Sequence, residues 1–177
     1  MWNLFKRSRS VPKSTPPMVW ISRSILDQTT EILRRSGSQT QSHEGVVYWA
    51  GRRSGNEYLI TTCIAPEAQT TRGSFRTTSA TNARVVMYLA KSNLELLGQV
   101  HSHPGTFIDH SEGDDEDALM PYEGFYSVIV PNYASQGMHP LTRCGVHIFE
   151  NNRFRRMTNN EVSKHFHIAD RGTDVRV

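Results

Sequence analysis

Apolar residues recur at helical spacing in SRSILDQTTEILRRSG, residues 22–37, where Ile25, Leu26, Ile32 and Leu33 form one stripe and Gly37 supplies a stop. The spacing predicts a helix there, after a Ser/Pro-rich leader ending near Pro17. Next, GVVYWAGRRSGNEYLITTCIAP holds two β-rich runs around Arg52 to Asn56, with turn chemistry at Ser54-Gly55, and predicts a hairpin. A polar stretch over 69–80 leads to TNARVVMYLAKSN, where Val85, Val86 and Leu89 suggest a second helix. LELLGQVHSHP has few polar residues before its histidines and reads as a central strand, which Pro104 ends by forcing the preceding residue into extended geometry. A loop from Gly105 to His110 then feeds a short helix from near Ser111 to Pro121. FYSVIVP is a further buried strand, CGVHIFENNRFRRM a hairpin turning at Asn151-Asn152, and 159–168 a last helix. No internal repeat is visible. The sum is an α/β domain with one mixed, largely antiparallel sheet and helices packed on it.

The length of 177 residues fits one domain, expected over 18–168, with a basic flexible leader over 1–17 and a frayed tail over 169–177. Twenty basic against seventeen acidic residues give a formal charge of +3, unevenly spread. Lys6, Arg7, Arg9 and Lys13 stand in an opening with no acid, whereas 112–117 carry five acids in six positions. The basic opening has little aromatic interleaving, so it reads as a solvated tail and nucleic-acid binding is not expected. No segment approaches the length that spans a bilayer, and the N-terminus lacks the apolar run of roughly 7–15 residues typical of a secretory signal. A cytoplasmic protein without membrane contact is expected. Cys63 and Cys144 are too few and too far apart for a disulfide scaffold or a Cys-x-x-Cys site, and read as small buried hydrophobes.

The chemistry concentrates in GQVHSHPGTFIDHSEGDDED, residues 98–117. On a strand, residues i and i+2 share a face, so His101 and His103 can meet one ion while Ser102 points the other way. Catalytic zinc sites take three protein ligands and leave one position open, so a third donor is required. Asp114 lies eleven positions after His103, and geometry alone also permits Asp109, Glu112 or Asp115. A purely structural reading competes: Ser111-Glu-Gly-Asp114 has the form of a capping box, with the following acids a solvated first turn favoured by the helix dipole. The pair His165 and His167 repeats the His-x-His spacing in a predicted helix, where i and i+2 do not share a face, and reads as two surface histidines.

The full string resembles the JAMM, or MPN-type (JAB), metalloprotease family. The pattern of that family is an upstream glutamate, then His-Ser/Thr-His-Pro, seven residues, and Ser-x-x-Asp. Here His101-Ser102-His103-Pro104 is followed, over the seven residues Pro104 to His110, by Ser111-Glu112-Gly113-Asp114. The order of elements around it is also similar, so the resemblance covers roughly residues 19–157. It implies a single MPN/JAB-like domain, cytidine-deaminase-like in fold, with one Zn²⁺ held by His101, His103 and Asp114. It implies Glu44 as the catalytic acid and base, ahead of Glu57, which sits in the hairpin turn and faces water, and Ser111 as donor to the developing oxyanion. His43 beside Glu44 is left unassigned. The residues after Glu44 are bulkier than the small-residue runs often seen there.

The resemblance further implies hydrolysis, without a covalent intermediate, of the amide after the C-terminal glycine of ubiquitin or a ubiquitin-like protein. Such conjugates are the expected partners, with activating and conjugating enzymes of the same pathway beside them. Because the chain leaves little room for large insertions, a compact, prokaryote-like member is expected. Three rivals stand against this reading. A non-catalytic MPN scaffold usually lacks ligands that this chain keeps. A nucleoside deaminase needs His-x-Glu together with Pro-Cys-x-x-Cys, and no Pro-Cys-x-x-Cys occurs. A cysteine hydrolase at Cys144 and His147 has nothing that marks either as activated.

Overall fold

The computed structural model describes residues 15–38, 42–111, 113–114 and 118–169. Most of the basic leader and of the tail lie outside them. Strand β1 (Met18–Ser22) runs straight into helix α1 (Arg23–Gly37), because the Ser22 hydroxyl accepts the Ile25 N–H at 3.3 Å and caps the helix. Strands β2 (Val46–Ser54) and β3 (Glu57–Ile64) form the expected hairpin, and Gly55 supplies the positive φ of its turn. The polar stretch that sequence pattern leaves without structure folds as a ribbon of β4 (Ala68–Thr71) and β5 (Ser74–Thr77). Helix α2 (Ser79–Ser92), capped by Thr78, leads to β6 (Glu95–Ser102).

Strands β7 (Tyr126–Val130), β8 (Gly145–Glu150) and β9 (Arg153–Arg156) follow, the last two joined through Asn151 and Asn152, both at positive φ as a tight hairpin turn requires. The chain closes with α3 (Asn159–His165) and β10 (Phe166–Ala169). Eight strands make one sheet in the order β10-β1-β3-β2-β6-β7-β8-β9. Pairs β10/β1, β1/β3 and β6/β7 are parallel and the other four antiparallel. The mixed, largely antiparallel sheet with helices on both faces is the expected fold class.

The alternation along β2 builds two cores. Val47 and Trp49 face α1 and α3 with Leu26, Leu33 and Val162, while Val46, Tyr48 and Ala50 face α2 and the ribbon with Phe75, Val85 and Leu89. Trp49 Nε1 donates to Thr29 Oγ1 at 2.9 Å, so the largest buried ring leaves no orphaned donor. β6 lies at the centre of the sheet, between β2 and β7.

Several expectations are corrected. MVWIS, which sequence pattern leaves without an element, is a strand paired on both sides by parallel neighbours, with Val19 and Ile21 buried and Trp20 exposed between them. The helix over 159–168 stops at His165, and Phe166 to Ala169 become an edge strand on β1. His165 is therefore buried and His167 stacks on Trp20 with ring centroids 4.4 Å apart, so neither belongs to a surface helical pair. Residues 118–121 are not helical, so the helix begun near Ser111 does not reach Pro121. Val86 of the predicted α2 stripe is 43% exposed, and Cys63 is only half-buried, unlike the buried Cys144. Among the described residues no helix is long and apolar enough to cross a membrane.

Candidate metal centre

The site forms where β6 leaves the sheet. Register pairs His101 with Val46 on one side and Ile129 on the other, so it is wholly buried, and Phe75 of the ribbon lies 5.1 Å from its ring. His103 follows one pleat later, tied to β7 by its N–H on Val130 O at 2.9 Å. Both side chains therefore project toward α2 and the ribbon, as strand alternation dictates. Their Nε2 atoms stand 3.1 Å apart.

Asp114 completes the group, with Oδ1 3.1 Å from His101 Nε2 and Oδ2 3.4 Å from His103 Nε2. One ligand atom from each of His101, His103 and Asp114 lies within 4.8 Å of the others. Two donors each about 2.0–2.1 Å from a tetrahedral ion are separated by about 3.3–3.4 Å, close to the spacings found here. The imidazoles can also present lone pairs. His103 Nδ1 faces the Phe107 carbonyl at 2.9 Å, and a carbonyl can only accept, so the ring proton sits on Nδ1 and neutral His103 presents a lone pair at Nε2. Burial pulls the pKa of His101 down, which keeps it neutral. For His103 burial acts the same way, but the hydrogen bond and charge of Asp114 and the charge of Glu44 outweigh it and leave its pKa raised. Burial pushes the Asp114 carboxyl up, and bonds from both histidines and the Ser111 N–H hold it well below the carboxylate range instead. Such a site attracts a cation and fits a divalent metal ion.

Ser111 and Asp114 also form the capping box. The Asp114 N–H reaches Ser111 Oγ at 3.3 Å, while Asp114 Oδ2 accepts from Ser111 N at 2.7 Å and from Ser111 Oγ at 2.9 Å. The two readings of these residues are thus compatible, because the carboxylate has two oxygens: Oδ2 closes the cap and Oδ1 is turned toward His101. In this arrangement the single Ser111 hydroxyl proton is directed at Asp114.

Glu44 lies in the short connection from α1 to β2 and is buried. Burial raises its pKa to about 7, with His103 opposing and Asp114 adding to the rise, so its carboxylate shares the electrostatic field of the histidines. Its N–H is bonded to Thr71 O of the ribbon at 2.8 Å, and the next residue is locked by Ser102, whose Oγ accepts Gly45 N at 3.0 Å and whose N–H donates to Gly45 O at 3.1 Å. Ser102, pointing away from the ion site, thereby holds the Glu44 segment against the histidine strand. Strand alternation by itself gives this serine no task.

The other candidates fall elsewhere. Asp109 pairs with Arg156 and lies 3.6 Å from His147, away from the three donors. His43 bonds Thr70 Oγ1 at 3.1 Å, and Glu57 is an exposed first residue of β3. Glu112 and Asp115 lie outside the described residues. His110, unweighed in the sequence, bonds Ser127 Oγ at 2.9 Å and packs its ring at a tilt against His147, so it anchors the loop between His103 and Asp114.

Comparison with known proteins points the same way. Residues 26–144 match the family described as prokaryotic homologs of the JAB domain. A probable metalloprotease, y4jG of Sinorhizobium fredii, is 32% identical over 122 residues, covering 67% of this chain and 74% of that protein. The solution structure of a protein from Desulfitobacterium hafniense superposes with a TM-score of 0.65 at 15% identity, covering 87% of this chain and 94% of that one. A Salinibacter ruber protein gives 0.53 at 20% identity, over 79% and 88%. At such identities these two show likeness of fold alone.

Proposed function

The chain belongs to the family of prokaryotic homologs of the JAB domain, and from that membership and the convergence of His101, His103 and Asp114 beside a buried glutamate we infer a metalloprotease. We propose that the metal is zinc, one ion held by those three side chains, because two neutral imidazoles and one carboxylate with a further position left open are a donor set of catalytic zinc. When bound, zinc supplies Lewis acidity that polarises a scissile carbonyl and lowers the pKa of water from 15.7 to roughly 7.

The protein's own groups do the rest. The Glu44 carboxylate takes the proton of the attacking water and passes it to the departing amine, and a pKa near 7 suits a group that must both accept and return it. Ser111 Oγ turns its proton from Asp114 to the developing oxyanion, a contribution typically worth about 10²–10³ in rate. His103 is fixed by the Phe107 carbonyl, and Ser102 holds the Glu44 segment in register with His101. The proposed substrate is the amide after the C-terminal glycine of ubiquitin or a ubiquitin-like modifier, as a lysine conjugate or a precursor extension. Support comes from the family pattern and from the β4–β5 ribbon beside Glu44, a separate two-stranded sheet to which an extended glycine tail can add.

The observation that carries the reading is the cluster of His101, His103 and Asp114 with the buried Glu44 carboxyl in its electrostatic field. Metal analysis coupled to cleavage of a panel of ubiquitin-like fusions, with and without chelator, tests it. One zinc per chain and chelator-sensitive cleavage after the terminal glycine are expected. Cleavage indifferent to chelator refutes the metalloprotease, and zinc-dependent cleavage of unrelated peptides only refutes the substrate class.

A further inference from the structure

We infer that Tyr133 is a positioning residue for Glu44, acting through a left-handed turn that joins the end of the histidine strand, the approach to Glu44 and the β4–β5 ribbon. The inference rests on Glu44 being the base, as proposed above. Asn132, Tyr133 and Ala134 adopt φ of 53°, 50° and 58°. Asn tolerates the left-handed region, whereas Tyr and Ala enter it against steric resistance, and three such residues in succession persist only where the surroundings over-determine them.

They do so here. Asn132 N donates to Gly105 O at 2.9 Å and Tyr133 N to His103 O at 2.8 Å, so the turn sits on the backbone of the ligand strand itself. Arg34 of α1 clamps it from behind, Nε on Ala134 O at 2.9 Å and Nη2 on Ser135 O at 3.0 Å. Gly37 makes the approach possible, since a Cβ there would lie 2.5 Å from Tyr133 Cβ.

The side chain then reaches the other half of the site. Tyr133 Oη donates to Arg72 O at 2.9 Å and shares the proton with Ser42 O at 3.3 Å. Ser42 precedes Glu44 by two residues, and Arg72 follows Thr71, whose carbonyl holds the Glu44 N–H. Residues 42–45 have no helix or strand of their own to fix them. Ser102 secures the segment on its β2 side from the histidine strand itself, and Tyr133 secures it on the other from a turn bonded to the backbone of His103 and Gly105. A reacting group misplaced by about 1 Å can lose on the order of 10²-fold in rate, which is why a base on an irregular segment needs such anchors.

Tyr133→Phe keeps the ring and the turn and removes only the hydroxyl. Hydrogen exchange at the Glu44 amide should quicken about tenfold, while the β7 and β8 amides and zinc affinity stay as in the parent. On a cleaved ubiquitin-like fusion, kcat should fall about tenfold or more with KM within about twofold. In a Glu44→Gln background the same change should leave the residual rate unaltered, because a residue that acts through Glu44 has nothing left to position. Gly37→Ala, which pushes into Tyr133, should quicken the same amide. Unchanged exchange at Glu44, or an equal fractional loss of rate with and without Glu44, overturns the inference. Faster exchange at Glu44 in a protein whose parent shows no metal-dependent hydrolysis upholds the anchor and refutes the protease reading instead.

Discussion

Asp114→Asn separates the two duties of one carboxylate. In the parent, Oδ2 receives the Ser111 N–H and hydroxyl while Oδ1 stands 3.1 Å from His101 Nε2. An asparagine can place its oxygen at only one of these positions. With the oxygen in the cap, its NH₂ points at the His101 lone pair and no ligand faces the ion; with the amide flipped, the NH₂ meets the Ser111 N–H and the cap is lost. Loss of a charged ligand should weaken zinc binding by at least about 10²-fold, and 10²-fold corresponds to about 2.7 kcal/mol of ligand-linked stability when the parent is near saturation. For a chain of this size, about 1 kcal/mol moves Tm by about 2–4 °C, so the zinc-induced rise in Tm should shrink by about 5–11 °C.

Thermal melts of parent and variant, each in chelator and in excess zinc, measure that rise directly. Loss of the charge also lowers the chelated Tm, through a weaker cap and the lost pairing with His103, but these contributions largely cancel in the zinc-induced increment. Ser111→Ala supplies the converse, a chelated stability lower by about 1 kcal/mol with the increment preserved. If Asp114→Asn keeps the full increment while its chelated Tm falls, the residue is a cap and nothing more, and the metal centre has lost its third donor.

Two further outcomes are expected. Glu44→Gln should bind zinc yet lose turnover. Because the folded pKa of Glu44 is raised from 4.5 to about 7, the stability of the parent is unpenalised below pH 4.5 and declines as pH rises through about 7, so metal-free Glu44→Gln should be the more stable of the two at pH 8 by up to about 3 kcal/mol and equal to it near pH 4.5, as denaturant titrations at the two pH values can check. Gly145→Ala places a Cβ 1.7 Å from Ile108 O, in the loop between the ligand segments; it should cost about 1–3 kcal/mol or more and weaken zinc affinity with it, and an unchanged urea midpoint would contradict this.

The elements legible from sequence were those with a strong local period or a specific turn: α1, α2, the β2–β3 hairpin at Gly55 and the β8–β9 turn at Asn151-Asn152. Two of the candidate donors were legible for a related reason. His101 and His103 share a face by strand geometry alone, whereas Asp114 was singled out by the fixed string of the family it resembles. What escaped were elements whose identity depends on distant partners. β1 and β10 exist as strands because each finds the other, 147 residues apart at Val19 and Phe166. The β4–β5 ribbon is polar by composition and becomes ordered by closing over the site through Phe75 and Thr71.

The sequence by itself therefore determined the shared facing of the two histidines and the capping chemistry, which follow from residue type and backbone period within some fourteen residues, while the family resemblance singled out Asp114 as the third candidate donor. Tertiary structure alone decided that the cap oxygen of Asp114 and the oxygen nearest His101 are different atoms, that burial raises the pKa of Glu44, and that Ser102, Thr71 and Tyr133 hold its segment. The physical reason is range. Local sterics and hydrogen bonding act over a few residues of chain, whereas burial and charge act through space, between segments that only folding brings together.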